Sequence, residues 1–225
     1  MKGMLIVQCR DDGVVDDIRL TEILRRYGAR AAFSLNPGAY GPGRSYGWRH
    51  EDKDVWRLGR DELASVYDDF EIASHSLTHP NLADISCDLM EQEIRQSRMI
   101  LEDIFQKSVY GFCYPFDVYN DAVKNAVRAA GYRWARGNQT RMSCFPPDDP
   151  MEFHPSCHFL SDRFRICYES AKKDKGVFFF WGHSYELMNE VMWTEFERTI
   201  ESMASDSDAE WCDLSALFLA KDDAQ

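Results

Sequence analysis

A chain of 225 residues with 38 Asp and Glu against 26 Lys and Arg carries a net charge of −12, the wrong sign for a nucleic-acid partner. At 44% hydrophobic and 13% aromatic residues it has ample material for a packed core, which excludes wholesale disorder. The N-terminal apolar run is too short for a signal-peptide core or a membrane span. The seven cysteines (Cys9, Cys87, Cys113, Cys144, Cys157, Cys167 and Cys212) are odd in number and form no CxxC pair, a pattern expected of reduced thiols in a cytoplasmic protein.

Taken in chain order, residues 4–9 predict a buried strand that runs straight into Arg10, Asp11, Asp12 and Gly13. An amphipathic helix is expected over 16–28, stopped by Gly28, and a second strand over 30–36. Residues 37–59 mix Gly, Pro, Trp and charge without period and read as a long loop holding His50, Trp48 and Trp56. A short helix (60–69), a short strand (70–74), a long helix (86–106) and a strand (109–115) follow. Next come a helix (117–131) closed by Gly131 and a strand (132–136). Residues 137–160, with Pro146, Pro147, Pro150 and Pro155, are expected to be irregular; a helix (161–176), an apolar strand (177–183), a helix (193–204), a short strand (210–214) and a terminal helix close the chain. Strands alternating with helices imply parallel βα units in one domain over 1–225, either closing into a barrel of about seven strands or forming an open sheet.

In such folds chemistry collects at the C-terminal ends of strands. Those ends here carry Asp11 and Asp12; His75 and His79; Tyr114, Pro115 and Phe116; Arg136; and, after Trp181, His183. An HxxxH spacing alone more often marks two ordinary polar histidines, and Pro80 disfavours a helix at His79. Adding an aspartate changes the balance, because His-His-carboxylate leaves an open position for water on a zinc-sized ion. Neighbouring strand residues point apart, so one of Asp11 and Asp12 is free to ligate while the other takes a proton. His154 and His158, in a Pro-rich segment, line the substrate cleft, form a second polar cluster, or are surface or capping histidines, and Cys113 reads as a packed thiol rather than a nucleophile.

These residues in this order resemble the polysaccharide deacetylase family, the NodB-homology domain of carbohydrate esterase family four. The match lies in "CRDDG" for the family's Thr/Ser-Phe-Asp-Asp-Gly, "HSLTH" for its His-Ser/Thr-x-x-His, "CYPF" for its Pro-Tyr/Phe motif, and "FFFWGH" for its late strand running into His. The resemblance implies a distorted (β/α) barrel and one divalent ion, most often zinc, with cobalt, nickel or manganese as alternatives, bound by Asp12, His75 and His79. It implies Asp11 as general base, His183 as the acid, and a backbone N–H near Tyr114 on the carbonyl oxygen. The reaction implied is hydrolysis of an N-acetyl group on an amino sugar or oligosaccharide. The rival readings are the same site acting on a small non-sugar amide, and a non-catalytic carbohydrate-binding barrel. Two departures stand out. Cys113 occupies the position of the family's base-orienting Arg, leaving Arg10 or Arg136 as replacement, and the Asp-containing fourth motif is absent from "RGNQTR".

Overall fold

The structure, a computed structural model, describes residues 3–139 and 145–219; Cys144 lies outside them. The sheet grows outward from β1 (Met4–Asp11), whose central residues are buried on both faces. On one side, joined by α1 (Asp17–Arg26), α3 (Cys87–Phe105) and α4 (Asp121–Ala129), lie β2 (Ala32–Leu35), β5 (Glu71–Ser74), β6 (Gly111–Cys113) and β7 (Trp134–Arg136). On the other lie β9 (Val177–Gly182) and β8 (Cys157–His158). The order is β7-β6-β5-β2-β1-β9-β8, seven parallel strands, with β10 (Ala209–Trp211) pairing in parallel with the start of β1. Helices α5 (Phe164–Asp174) and α6 (Glu190–Ala204) precede and follow β9.

The segment 150–158 joins the two edges of this sheet. Its Pro150 and Phe153 carbonyls accept the N–H groups of Ala135 (2.8 Å) and Gly137 (3.0 Å), while Ser156 N–H donates to Phe179 O (2.7 Å) and Phe159 N–H to Trp181 O (2.9 Å). The sheet therefore curls into a distorted (β/α) barrel, as expected. The expected irregularity of 137–160 is corrected at this point: prolines, which lack the N–H a ladder needs, confine regular pairing to the two residues of β8.

Residue parity sorts the core. Val7, Cys9, Phe179 and Trp134 point into the barrel with Ala32, Ala73 and Phe153. Ile6, Phe178, Phe180, Phe33 and Phe112 point outward against Leu20, Leu24, Ile94, Leu101, Val127 and Ile200 of the helices. Each large apolar side chain buried in this way is worth about 1.5–3 kcal/mol. Gly111 has no room for a Cβ, which would stand 2.0 Å from Trp134 Cζ2, and this lets the indole fill the barrel interior.

Three expectations are corrected in shape. Residues 37–59 are not a bare loop but contain an antiparallel hairpin, β3 (Ser45–His50) and β4 (Lys53–Arg57), followed by a short helix, α2 (Leu63–Tyr67). The helix expected from 193 begins at Glu190, where the side chain of Asn189 caps Met192 N–H. The terminal helix is a single 3-10 turn, Leu214–Leu217. The six described cysteines are free thiols, and no described helix is long and apolar enough to cross a membrane.

Candidate active site

Asp11 is the last residue of β1 and shares its inward parity with Val7 and Cys9. Simple alternation would send Asp12 to the opposite face, yet both carboxylates line one cavity. The reason is backbone conformation: Asp12 leaves the strand at φ 78, in the left-handed region that non-glycine residues avoid. Tyr40 Oη donates to its carbonyl at 3.0 Å and holds the turn. Gly13 follows at φ 61, where a Cβ would stand 2.0 Å from that same hydroxyl.

His75 follows β5 directly, and the chain then turns through Ser76 (φ 63) to His79 (φ 67), the loop that Pro80 implied. Ser76 Oγ accepts the His79 N–H at 2.9 Å. The His75 ring donates from Nδ1 to the carbonyl of Cys113 at 2.8 Å, which fixes its tautomer and turns the Nε2 lone pair to the cavity. His79 Nε2 lies 3.1 Å from His75 Nε2. Burial, then the adjacent His75, push the His79 imidazole down to about 4, so it is a neutral base at neutral pH. An oxygen of Asp12 and one nitrogen from each histidine lie within 4.8 Å of one another. Two imidazoles and a carboxylate converging on one point form a donor set that fits a divalent ion.

Two other clusters have ligand-like spacing: Asp11–His75–Cys113 and His158–His183–Glu186. Both fit an ion less well. Asp11 is engaged by arginine, and burial holds the Cys113 thiol well above its ordinary range, hence protonated and inert. Glu186 already accepts two hydrogen bonds on one oxygen, as described next.

On one side of the cavity Arg136 Nη2 bonds Asp11 Oδ1, both side chains sealed from solvent. Burial alone would raise the Asp11 carboxyl, but the Arg136 charge, with His75 and His183, outweighs it and holds the group far below the usual carboxylate range. Arg10 is not the partner. One residue from Asp11, it has the outward parity: its guanidinium bonds Gln8 Oε1 (2.8 and 3.1 Å) and is enclosed by the rings of Phe159, Phe180 and Phe196.

On the other side His183, just past β9, sets Nε2 3.7 Å from Asp12 Oδ2 and Nδ1 3.3 Å from Glu186 Oε2, the latter off the line of a hydrogen bond. Glu186 Oε2 accepts from His158 Nε2 (2.9 Å) and from the His183 backbone N–H (2.8 Å). Burial opposes charge on both groups. Even so, Glu186, Asp12 and Asp11 raise the His183 imidazole above its ordinary value, and the two histidines hold Glu186 below its own. Tyr185 stacks on His183 at 4.7 Å. Glu186 was not among the residues singled out in the sequence; the signal for it is local, a carboxylate three positions after His183 in "HSYE".

The cavity measures about 350 Å³, and Tyr114, Phe116, Trp181 and Cys113 line it together with both aspartates, His75, His79 and His183. Phe116 stands 61% exposed at its mouth, edge-on to His79 at 4.4 Å. Trp48, a loop aromatic already noted in the sequence, is part of the wall; Arg57, Asn138 and Tyr185 complete it and are not singled out by the sequence, Arg57 because it sits on the unforeseen hairpin. Pro115 is buried outside the lining. His154 is also buried outside it, 4.0 Å from Asp117 Oδ1 and 3.3 Å from Tyr119 Oη, and His158 touches the site from behind, through Glu186 and edge-on to Trp181 at 5.0 Å.

The sequence model described as "Polysaccharide deacetylase" matches residues 2–135, more than half of the chain and all of the site up to Ala135. The chain belongs to the polysaccharide deacetylase family. Among solved structures, a polysaccharide-deacetylase-type protein from Mycobacterium smegmatis aligns at TM-score 0.71 and 13% identity, over 96% of this chain and 89% of that one. The Xyl-CE4 domain of a multidomain xylanase from the hindgut metagenome of Trinervitermes trinervoides aligns at 0.64 and 16%, over 97% and 90%. A Streptococcus pyogenes deacetylase solved with acetate aligns at 0.53 and 17%, over 65% and 61%. At these identities the likeness is one of fold. No curated protein matches the chain by sequence. Within the polysaccharide deacetylase family, Cys113 and "RGNQTR" remain the departures, and Arg136 and Glu186 occupy the space beside Asp11 and His183.

Proposed function

We propose that this member of the polysaccharide deacetylase family is a metal-dependent hydrolase that removes N-acetyl groups from an amino sugar or oligosaccharide, with residues 1–225 acting as one catalytic domain. The observation that carries the reading is the convergence in one cavity of the Asp12–His75–His79 donor set, the Asp11–Arg136 pair and the His183–Glu186 pair. Asp12, His75 and His79 would hold the ion, most plausibly zinc from two imidazoles and one carboxylate. When bound, such an ion supplies Lewis acidity to a water and to an amide carbonyl.

The chain's own groups divide the proton work. Arg136 keeps Asp11 ionised and fixes Oδ1, while Oδ2, which accepts only the weak Cys113 thiol contact at 3.7 Å, takes a proton from the attacking water. His183, raised above its ordinary value, holds a proton that Nε2 presents beside Asp12 and gives it to the departing nitrogen. The C–N bond breaks, the carbonyl carbon gains the water oxygen, and acetate and a free amine leave. Phe116 and Trp181 provide apolar walls against which the acyl group and sugar ring can sit.

Acetate release from N-acetylglucosamine oligomers, measured with and without a chelator, tests the reading. Release that stops with chelator and returns with added zinc is expected, and release indifferent to chelator would overturn the metal mechanism.

A further inference from the structure

Among the described residues, the cavity is lined by one Lys or Arg, Arg57 at the end of β4. Several other arginines of this acidic chain pair with carboxylates, Arg19 with Glu190, Arg30 with Asp213, Arg44 with Glu62 and Arg136 with Asp11, while Arg10 is spent on Gln8 outside the cavity. No described carboxylate makes such a pair with Arg57. Its guanidinium lies over the Trp48 ring at 5.0 Å, and Nη1 makes a long 3.5 Å contact with the backbone oxygen of Asp12.

The hairpin holds this cation in a fixed place. Val15 N–H donates to Trp56 O at 2.8 Å, Val14 bridges Arg57 in antiparallel fashion, and Val55 is buried with Val14 and Tyr185. Trp48 stands edge-on to Tyr185 at 5.2 Å, and Tyr185 in turn stacks on His183. Arg57 is thus on the wall that carries the proton donor, where the departing amine and its neighbouring substituents must lie. Asp11 is neutralised by Arg136, and Asp12 faces His183 and the two site histidines, so the Arg57 charge and most of its N–H fork are left for something else. A guanidinium braced on an indole face and short of a partner suits an oxyanion, which it can bind through two N–H groups.

We propose that Arg57 is a specificity-determining residue that selects amino-sugar substrates bearing an anionic group, carboxylate or phosphate, on a carbon adjacent to the acetamido carbon. This rests on the deacetylase reading for its choice of substrate, but its test does not need turnover. Calorimetric titration of the metal-loaded chain compares glucosamine, glucosamine 1-phosphate and muramic acid, and kcat/KM is measured in parallel on their N-acetyl forms.

An anionic sugar is expected to bind about tenfold more tightly than the neutral one, the size of a charge-assisted hydrogen bond. Arg57→Gln should collapse that ratio to within about twofold, and Arg57→Lys should retain part of it. The phosphate and the carboxylate arms then show which anion fits. Equal binding of neutral and anionic sugars, or a preference that survives Arg57→Gln, overturns the proposal. An Arg57-dependent preference without acetate release would retain it while removing the deacetylase reading. Acetate release with no preference would do the reverse.

Discussion

The two sides of the cavity solve the same problem by different means. The Asp11–Arg136 pair is sealed, with side chains 3% and 0% exposed, and is assembled by strand parity from residues 125 apart. The His183–Glu186–His158 cluster is open, at 17%, 18% and 23% exposure, and its central contact spans three residues of a turn after β9. A buried pair ties the chemistry to the fold, because either member alone is an unpaired charge in the barrel. A partly exposed pair, within reach of water, can lose a member at less cost to the fold. The base side should therefore fail in stability and rate together, and the acid side in rate alone.

Arg136→Met gives the largest effect. Stranding the Asp11 carboxylate should cost about 3–5 kcal/mol in urea unfolding and remove turnover. Asp11→Asn, which keeps shape, should lower acetate release about 10²–10⁴-fold with metal content near normal; loss of the metal instead would exchange the roles of Asp11 and Asp12. Glu186→Gln comes next. It should lower kcat by about tenfold while shifting unfolding by no more than about 1 kcal/mol, and equal losses in both would erase the contrast between the two sides.

Acid titration separates the sides more finely. The lowered Asp11 carboxyl contributes stability that is present above the usual carboxylate range and is lost as pH falls through its folded value. Asp17 behaves oppositely. Buried behind the acid side, it accepts from Ser184 Oγ, Tyr67 Oη and Val14 N–H, and burial, only partly offset by those bonds, pushes it up to about 6. Between the model-peptide value near 4 and about 6 the folded state holds the extra proton, so this group's contribution weakens as pH rises through that window. Urea midpoints taken at pH 4 and pH 7 should show that loss in the parent and not in Asp17→Asn. The smallest effect is expected of Arg10→Met. Exchanging a boxed cation for an apolar side chain should leave kcat unchanged and stability neutral or slightly higher, and a fall in kcat would bring Arg10 back to the base side.

Much of the floor was legible because strand ends and motif spacing are local: Asp11, Asp12, His75, His79, Tyr114 and His183 could be named from runs and stops. The choice between Arg10 and Arg136 was within reach too, since a residue adjacent to Asp11 on a strand must face the helices. The hairpin was hidden because its two-residue connection uses Glu51 at φ 49 where Asn-Gly would announce such a turn. Arg57 is hidden with it. Glu186 is not legible because the family resemblance places the partner of His183 in the Asp-containing fourth motif, which is absent from "RGNQTR". The shared direction of Asp11 and Asp12 could not be read at all, as nothing in "RDDG" shows which residue turns left-handed.

That last feature bears on how this protein can change. Of the eight non-glycine residues with positive φ among the described residues, Asp12, Ser76, His79, Phe116 and Asp117 ring the cavity or adjoin its lining. Each such conformation costs of order 1–3 kcal/mol. Selection for heat tolerance alone would reward glycine at these positions before almost anywhere else. A lineage freed from the need for turnover would be expected to drift toward glycine there, gaining robustness as the cavity empties of its chemistry.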